Sequence, residues 1–303
     1  MIMPPKVFII IVNWNNWADT EECLKSLENN DYPNCDVVVV DNGSTEKFSI
    51  FNFQFSIKVI YNKENLGFSE GNNVGIRYAL ENGADYVLLL NNDTIASADF
   101  LEKLVLAGES DEKIGFLGPK IYFYGDGSRQ SKIWFAGGEV NWLYNKGTMR
   151  GYGEMDEGQY DLPAFQETEY VTGCCLLAKR EALEKIGLMP NEYFLYYEDV
   201  DWSLRARRAG FKTVFVPAAK IWHKRSKSTV EGSPSYIYYH IRNGLILASK
   251  FAPWFVLLFV HLDALGRTIK QLIKLVFFPK KRAWAKYILI GMKDFYLGKR
   301  GKV

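Results

Sequence analysis

"YVLLLNND", Tyr86 to Asp93, is the stretch on which the reading of the fold turns. Five successive apolar residues, Tyr86 to Leu90, show neither helical nor alternating periodicity, as expected of a short strand covered on both faces. The strand runs straight into Asn91, Asn92 and Asp93. Polar side chains at the end of a buried strand are costly unless something satisfies them, so this end is expected to face a ligand.

The same grammar repeats along the chain. "KVFIIIVNWN" and "CDVVVVDNGS" are apolar runs closed by polar turns, and "IKVIYNKENLG" is a third strand. Between them lie helical segments: "WADTEECLKSLENN", with Leu24 and Leu27 on one stripe and Asp19 or Thr20 as N-cap, "SEGNNVGIRYALENG" ending near Gly83, and "SADFLEKLVLAGES". Alternating strands and helices with continuously apolar strands predict an α/β fold with a mainly parallel sheet covered by helices on both faces. In such sheets ligands bind beyond the carboxyl ends of the strands. Three polar clusters, Asn13–Asn16, Asp41–Ser44 and Asn91–Asp93, are therefore expected to converge on one cleft.

The turn after the first strand, "NWNNWAD", contains no glycine, which disfavours a nicotinamide or flavin dehydrogenase. Residues 118–169 are irregular and rich in Gly and aromatics, and are read as short strands and long loops. "EYVTGCCLLAKREALEKIG" returns to strand and helix, "FLYYEDVDWSLRARRAGF" is a loop entering a helix, and "KTVFVPAAKIWHK" is a late strand.

Composition bounds the rest. The 303 residues are 48% hydrophobic and 24% charged, enough for a substantial core. From Arg267 onward eleven Lys and Arg face one acid, Asp294; this tail carries +10 and, with a chain total of +2, residues 1–266 carry −8. A basic end on a mildly acidic body points to a polyanionic surface as partner. Cys23, Cys35, Cys174 and Cys175 form no CxxC pair and are read as free thiols of a reducing compartment. The short apolar N-terminus is read as a first strand, not as a signal peptide.

Several residues carry candidate chemistry. Asp93, with amide oxygens beside it, suits a hard divalent cation that would bridge two phosphates, although a cap on the following helix is an equal use for it. Glu198, Asp199 and Asp201 crowd into "YYEDVDW" between aromatic rings. That setting raises a carboxyl pKa as a general base requires, while acids at a helix N-terminus are also an ordinary pattern. His223, one of three histidines, becomes a metal ligand if it lies near Asp93 and is otherwise structural. Asp41 is placed to accept the imide N–H of a pyrimidine base, or to form a turn. Trp14 either lies against that base or packs in the core.

The ordered set "IVNWN", "VVVVDNGS", "NLGFSEGNNVGI", "LLLNNDT", "VTGCCLLAKREAL", "YYEDVDWSLRARRAGF" and "IWH" resembles the family 2 glycosyltransferases of GT-A fold, and among these the bacterial rhamnosyltransferase-type enzymes, over roughly residues 6–225. The resemblance implies Asp199 as catalytic base and Asp93 with His223 as ligands of Mg²⁺ or Mn²⁺. It implies a donor site formed by Val12, Asn13, Trp14, Asn15, Asp41, Gly67, Gly71, Asn72, Asn91, Asn92, Gly173 and Glu198. The family's metal motif is usually Asp-X-Asp; here Asn91 holds the first position, so one charge is missing. The implied reaction is inverting transfer from a nucleotide diphosphate sugar, dTDP-rhamnose or a UDP-linked sugar such as galactofuranose or an N-acetylhexosamine, to a glycan or lipid-linked glycan of the cell envelope. A sugar-1-phosphate nucleotidyltransferase would need an early Gly-rich basic loop, which is absent. A decayed glycan-binding module is favoured only by Asn91.

The expected domains are residues 1–235, with a nucleotide half to about 117 and an acceptor half from 118, and a basic helical extension over 236–303. "FAPWFVLLFVHL", Phe251–Leu262, is too short to span a bilayer, and "RTIKQLIKLVFF" mixes apolar residues with Arg267, Lys270 and Lys274. These predict a cytoplasmic enzyme in peripheral contact with the inner face of the membrane, with no nucleic-acid partner and with an oligomer compatible. The sequons at Asn42 and Asn92 fall in the cleft and are read as chance matches.

Overall fold

The computed structural model describes residues 3–46, 53, 55–125, 129–142, 144–224 and 232–303. The first half builds β1 (Val7–Asn13), α1 (Trp17–Leu27), β2 (Cys35–Asp41), β3 (Ile57–Tyr61), α2 (Gly67–Glu81), β4 (Tyr86–Leu90), β5 (Thr94–Ala96), α3 (Phe100–Glu109) and β6 (Ile114–Tyr124). Then follow β7 (Arg129–Phe135), β8 (Gly138–Asn141), β9 (Lys146–Met149), β10 (Gln166–Glu167), β11 (Cys175–Lys179), α4 (Arg180–Ile186), α5 (Glu198–Arg208) and β12 (Lys212–His223). Three helices close the chain: α6 (Pro234–Phe251), α7 (Trp254–Phe277) and α8 (Arg282–Tyr296).

The main sheet runs β10-β12-β6-β11-β4-β1-β2-β3, with β5 added to β12 and β7 to β6. Successive residues of its central strands enter opposite cores. Ile9, Ile11, Val37, Val39, Leu88 and Leu90 pack on one face. Phe8, Ile10, Val38, Val40, Val87 and Leu89 pack on the other. This is the two-sided burial that the unbroken apolar runs predict.

The parallel reading holds for β3-β2-β1-β4. Beyond β4 the sheet is mixed: β11 lies antiparallel between β4 and β6, and β12 is parallel to β6. An apolar run does not encode its direction; that comes from how the chain returns. The antiparallel β11 brings its first residues, preceded by Gly173 and Cys174, to the edge where β1, β2, β4 and β12 end.

Four local expectations change. Helix α1 begins at Trp17 with Asn16 as N-cap, so Asp19 and Thr20 lie in its first turn. Asp93 precedes the short strand β5, paired with β12, rather than a helix, and α3 starts only at Phe100. The boundary expected at 117/118 falls inside β6, a strand of eleven residues, so both halves share it. The apolar run from Phe251 is split between α6, which ends at Phe251, and α7, which begins after Pro253. Ile246 and Leu247 of α6 belong to the same buried cluster as the sheet. Among the described residues no helix is long and apolar enough to cross a membrane. All four cysteines are free.

Candidate active site

The strand ends converge as the polar clusters predict. Asn13 is opposite Asp41 in the β1–β2 register. Asn13 is fully buried; its Nδ2 donates to Ser44 Oγ at 3.1 Å, and its Oδ1 accepts from Thr20 Oγ1 at 2.9 Å. Asn92 Nδ2 donates to Thr20 Oγ1 at 3.0 Å and to the Asn16 carbonyl at 3.3 Å. The amides of Asn13 and Asn92 thus brace the first loop from behind. Asn15, at φ 52°, receives the Thr45 N–H on its Oδ1 at 2.8 Å, and Trp14 is 45% exposed, so its ring is not a core group. Asp41 is buried and takes the Ser44 N–H on Oδ1 at 3.1 Å, which fixes its carboxylate at the strand end.

The turn into α2 forms the far wall. Asn42 is its hub: Oδ1 accepts from Leu66 N and Asn62 Nδ2, and Nδ2 donates to the Gly67 carbonyl at 3.0 Å. The sequence places Asn42 in the cleft but assigns it no role of its own; the available signal is a second polar residue directly after a buried strand. Gly71 lies so close to Asn42 and Val12 that a Cβ there would approach Asn42 Nδ2 to 3.0 Å and Val12 Cγ1 to 3.1 Å. Asn72 turns its amide back to the Phe68 carbonyl at 2.9 Å.

Asp93 and His223 meet, with Oδ1 and Nε2 3.1 Å apart. Burial works against a charged imidazole, but Cys174 and Asp93 outweigh it and push His223 up to about 10. Burial raises the Cys174 thiol to about 11, so it is neutral near pH 7 and Asp93 supplies the charge that holds the proton. Asn91 donates its N–H to the Cys174 carbonyl at 2.9 Å, tying this corner to the segment with Gly173. One carboxylate oxygen and one imidazole nitrogen, once a cation has displaced the imidazole proton, suit a divalent cation that draws its other ligands from phosphates and water. Among the described residues no group of three or more His, Cys, Asp or Glu is preassembled as a complete cage.

The acids of α5 have separate fates. Asp201 is fully buried and held in an ion-pair network: Oδ2 accepts from Tyr193 Oη at 2.8 Å and pairs with Lys250, and Oδ1 lies 3.0 Å from Arg205 Nε. For Asp201 the structural reading holds. Asp199 is half-buried, with Oδ2 accepting the Gly173 N–H and Oδ1 the Val200 N–H, each at 2.9 Å. Glu198 is buried with Oε2 unpartnered. Burial, then the neighbouring Asp199, pushes Glu198 up to about 8. Burial also raises Asp199, opposed by the N–H groups of Gly173 and Val200. The two carboxyls titrate as one coupled pair.

What aims this pair is a loop in unusual conformation. Phe194, Tyr196 and Tyr197 have φ of 66°, 68° and 75°, the left-handed region that non-glycine residues occupy at a cost of about 1–3 kcal/mol each. Asn243 of α6 holds the loop: its Nδ2 donates to the carbonyls of Tyr193, Leu195 and Tyr196 at 3.0, 2.7 and 3.1 Å. Arg242, fully buried, donates to the Tyr193 carbonyl at 3.0 Å, to Asn243 Oδ1 at 2.9 Å and to the Gly301 carbonyl at 2.8 Å. On the other side Phe68 N donates to the Phe194 carbonyl at 2.8 Å. The turn into α2 and the acid loop are therefore one hydrogen-bonded unit. Neither Arg242 nor Asn243 was singled out in the sequence; an Arg-Asn pair inside an otherwise apolar helix was the available signal. His240 stacks on Tyr196 with ring centroids 4.3 Å apart, and burial pushes it down to about 4, so it is neutral near pH 7.

A mixed α/β sheet whose strand ends gather a buried carboxylate, an Asp–His pair and a fixed acid at a helix start is the GT-A fold, the class of nucleotide-sugar-dependent transferases. A family model described as "Glycosyl transferase family 2" matches residues 8–187, and the chain belongs to that family. It is a glycosyltransferase. The dTDP-rhamnosyl transferase RfbF of Shigella flexneri is 26% identical over 259 residues, covering 82% of this chain and 81% of the relative. The N-acetylglucosaminyl-diphospho-decaprenol L-rhamnosyltransferase of Mycobacterium tuberculosis is 26% identical over 268 residues, 81% of this chain and 85% of its own. The solved mannosyltransferase PcManGT of Pyrobaculum calidifontis, in complex with GDP-Man and Mn²⁺, superposes with a TM-score of 0.57 at 15% identity, covering 98% of this chain and 89% of that one. This last likeness concerns the fold.

Proposed function

We propose that the chain transfers rhamnose from dTDP-rhamnose, by a single inverting displacement, to a lipid-linked glycan during envelope polysaccharide synthesis on the cytoplasmic face of the membrane. One observation carries the chemistry: Asp199, with both oxygens fixed by backbone N–H groups, stands at the sheet edge that also holds Asp41 and the Asp93–His223 pair. The donor and acceptor classes are supported by the names of the two rhamnosyltransferase relatives.

Asp199 accepts the proton of an acceptor hydroxyl, whose oxygen then attacks the anomeric carbon from the face opposite the nucleotide diphosphate. The raised affinity of the Glu198–Asp199 pair for protons makes it an effective base, since ionised carboxylate at ordinary acidity is a weak one. Gly173 lets this happen at short range: a Cβ there would press on the Phe68 ring at 2.9 Å, beside the N–H that orients Asp199. Asp41 accepts the imide N–H of thymine, with Trp14 free to cover the base. Asp93 and His223 would hold Mg²⁺ or Mn²⁺, which when bound supplies positive charge to the leaving diphosphate. Loss of the first acid of the usual motif to Asn91 makes that binding depend on the donor's own phosphates.

Calorimetric titration with dTDP, UDP and GDP, each with and without Mn²⁺, tests the reading. Binding of dTDP that strengthens with Mn²⁺, and weakens in Asp93→Ala, is expected. Preference for UDP would overturn the rhamnose donor, and a folded protein that binds none of them would overturn the donor site.

A further inference from the structure

Helix α7 spans 24 residues, about 36 Å at 1.5 Å per residue. Only one side of it is packed. Val256, Val260 and Ala264 join Leu245 and Ala248 of α6 and Met292 of α8 in a buried cluster. The opposite side is apolar and open to solvent: Phe255, Phe259, Leu262, Leu265, Ile269 and Leu272 are each more than half exposed, and Trp254 at the helix start is 81% exposed. At 3.6 residues per turn these side chains occupy one arc roughly 140° wide, running the whole length of the helix. A soluble monomer rarely leaves so long an apolar stripe uncovered.

Charge identifies what covers it. On the helical wheel Lys270 lies between the apolar arc and the packed side, with Lys274 at the near edge of the packed side and the exposed Arg267, paired with Asp263, just beyond it; long cationic side chains there reach headgroups while the arc sits deeper. Lys280, Lys281 and Arg282 follow in the turn after α7, and Arg282 closes the helix by donating to the carbonyls of Leu275 at 2.7 Å and Val276 at 3.1 Å. From Trp254 to Arg282 these six cations meet one acid, Asp263, for a net +5 with His261 neutral. Two copies meeting through a two-fold axis would set +5 against +5, which disfavours a dimer through this face. An exposed Trp at one end and a cationic flank suit a bilayer boundary.

Beside the far end of the arc, a cleft of about 340 Å³ between α7 and α8 is lined by Gln271, Lys274, Lys280, Lys281, Trp284 and Ile288. It holds three lysines and no acid. Gln271 is 5% exposed, and its Oε1 has no hydrogen-bond partner. The three ammonium groups and the indole at the wall are donors, which suits the cleft to a phosphate carried on an apolar molecule; the Gln271 Oε1 is an acceptor and contributes nothing to holding the anion.

We infer that α7 lies in the surface of an anionic bilayer, its apolar arc at the acyl boundary, with the Lys274–Lys280–Lys281 cleft gripping the phosphate of an acidic lipid. Docking deepens the proposed function, on which its purpose rests, by holding the catalytic cleft at the leaflet that carries the acceptor lipid.

Flotation of the full chain with phosphatidylcholine vesicles, with and without phosphatidylglycerol, tests it. The wild type is expected to float with the anionic vesicles and to stay behind with the neutral ones. Lys274→Gln/Lys280→Gln/Lys281→Gln should weaken anionic partition by roughly a hundredfold, the effect of three surface cations. Leu258→Glu/Leu262→Glu/Ile269→Glu should abolish it. All substituted residues are exposed or at the helix flank, and thermal unfolding checks that each variant is folded. Wild-type protein that ignores anionic vesicles overturns the inference. So does a dimer in analytical ultracentrifugation that dissociates in the Glu variant, because the arc is then a copy interface. Nucleotide titration of the same samples keeps the two readings apart: flotation without nucleotide binding sinks the transferase proposal alone, and nucleotide binding without flotation sinks only the docking.

Discussion

Gly67→Ala, compared with Gly83→Ala, isolates how the turn into α2 supports the acid loop. Both glycines have left-handed backbone, φ 84° at Gly67 and φ 81° at Gly83. An L-residue in that region costs about 1–2 kcal/mol, so each substitution carries the same conformational penalty. Their surroundings differ. A Cβ at Gly83 meets nothing within 4 Å, whereas one at Gly67 falls 2.5 Å from the Phe194 carbonyl oxygen and 2.5 Å from its ring. Reaching ordinary contact at 3.4 Å requires about 0.9 Å of retreat by the backbone of the acid loop. Overpacking of that kind adds roughly 1–3 kcal/mol. Gly83→Ala should lower Tm by roughly 2–6 °C and leave kcat unchanged. Gly67→Ala should lower Tm further and reduce kcat by about 10²-fold, the cost of a misplacement near 1 Å. Differential scanning calorimetry and steady-state transfer assays read both. If Gly67→Ala loses no more stability and no more kcat than Gly83→Ala, the coupling between the turn into α2 and Phe194–Tyr197 is refuted.

Other outcomes follow from the same geometry. Asn243→Ala leaves the carbonyls of Leu195 and Tyr196 without their donor, at about 1–3 kcal/mol per orphaned group. It should lower kcat more than it changes donor KM, and an unchanged kcat would deny Asn243 a positioning role. Glu198 holds its proton more tightly folded than unfolded. The stability it contributes is therefore full below its ordinary pKa of 4.5 and is lost as pH rises toward about 8. Glu198→Gln should flatten that decline and raise Tm above pH 8 by about 5 °C; a Tm–pH profile parallel to the wild type would contradict the burial argument.

Much of the cleft was legible in the sequence because its parts obey local rules. Unbroken apolar runs such as Val37–Val40 announce strands covered on both faces, and the polar residues that follow mark the ligand edge. Position alone puts Asp41 and Asp93 at strand ends, whereas His223 is joined to Asp93 only conditionally and through the family resemblance; the fold brings His223 and Asp93 to 3.1 Å. The antiparallel course of β11 was not legible, because direction is set by a long return path and leaves no mark in "CLLAK". Nor were the different fates of Asp199 and Asp201: both sit in the first turn of α5, and only the distant Lys250 and the nearby Tyr193 reveal that Asp201 is an internal ion pair. Asn243 acts on carbonyls some fifty residues earlier in the chain, and the left-handed residues it holds are aromatic, not glycine. No local pattern signals such a contact. The mixed apolar and basic pattern after Phe251 reads in sequence as an amphipathic surface segment or as part of a core helix pair; the folded arrangement shows that its apolar side is exposed among the described residues.

The most direct test of the central claim is sugar transfer by Asp199→Asn, measured alongside nucleotide affinity. Asparagine keeps the size of the side chain and still offers one acceptor to the Gly173 or Val200 N–H, so the cleft should remain intact. The account predicts unchanged nucleotide binding with transfer reduced by 10²–10⁴-fold, the usual contribution of a general base. Transfer near the wild-type rate in a folded, nucleotide-binding variant would contradict it and would remove Asp199 from the chemistry.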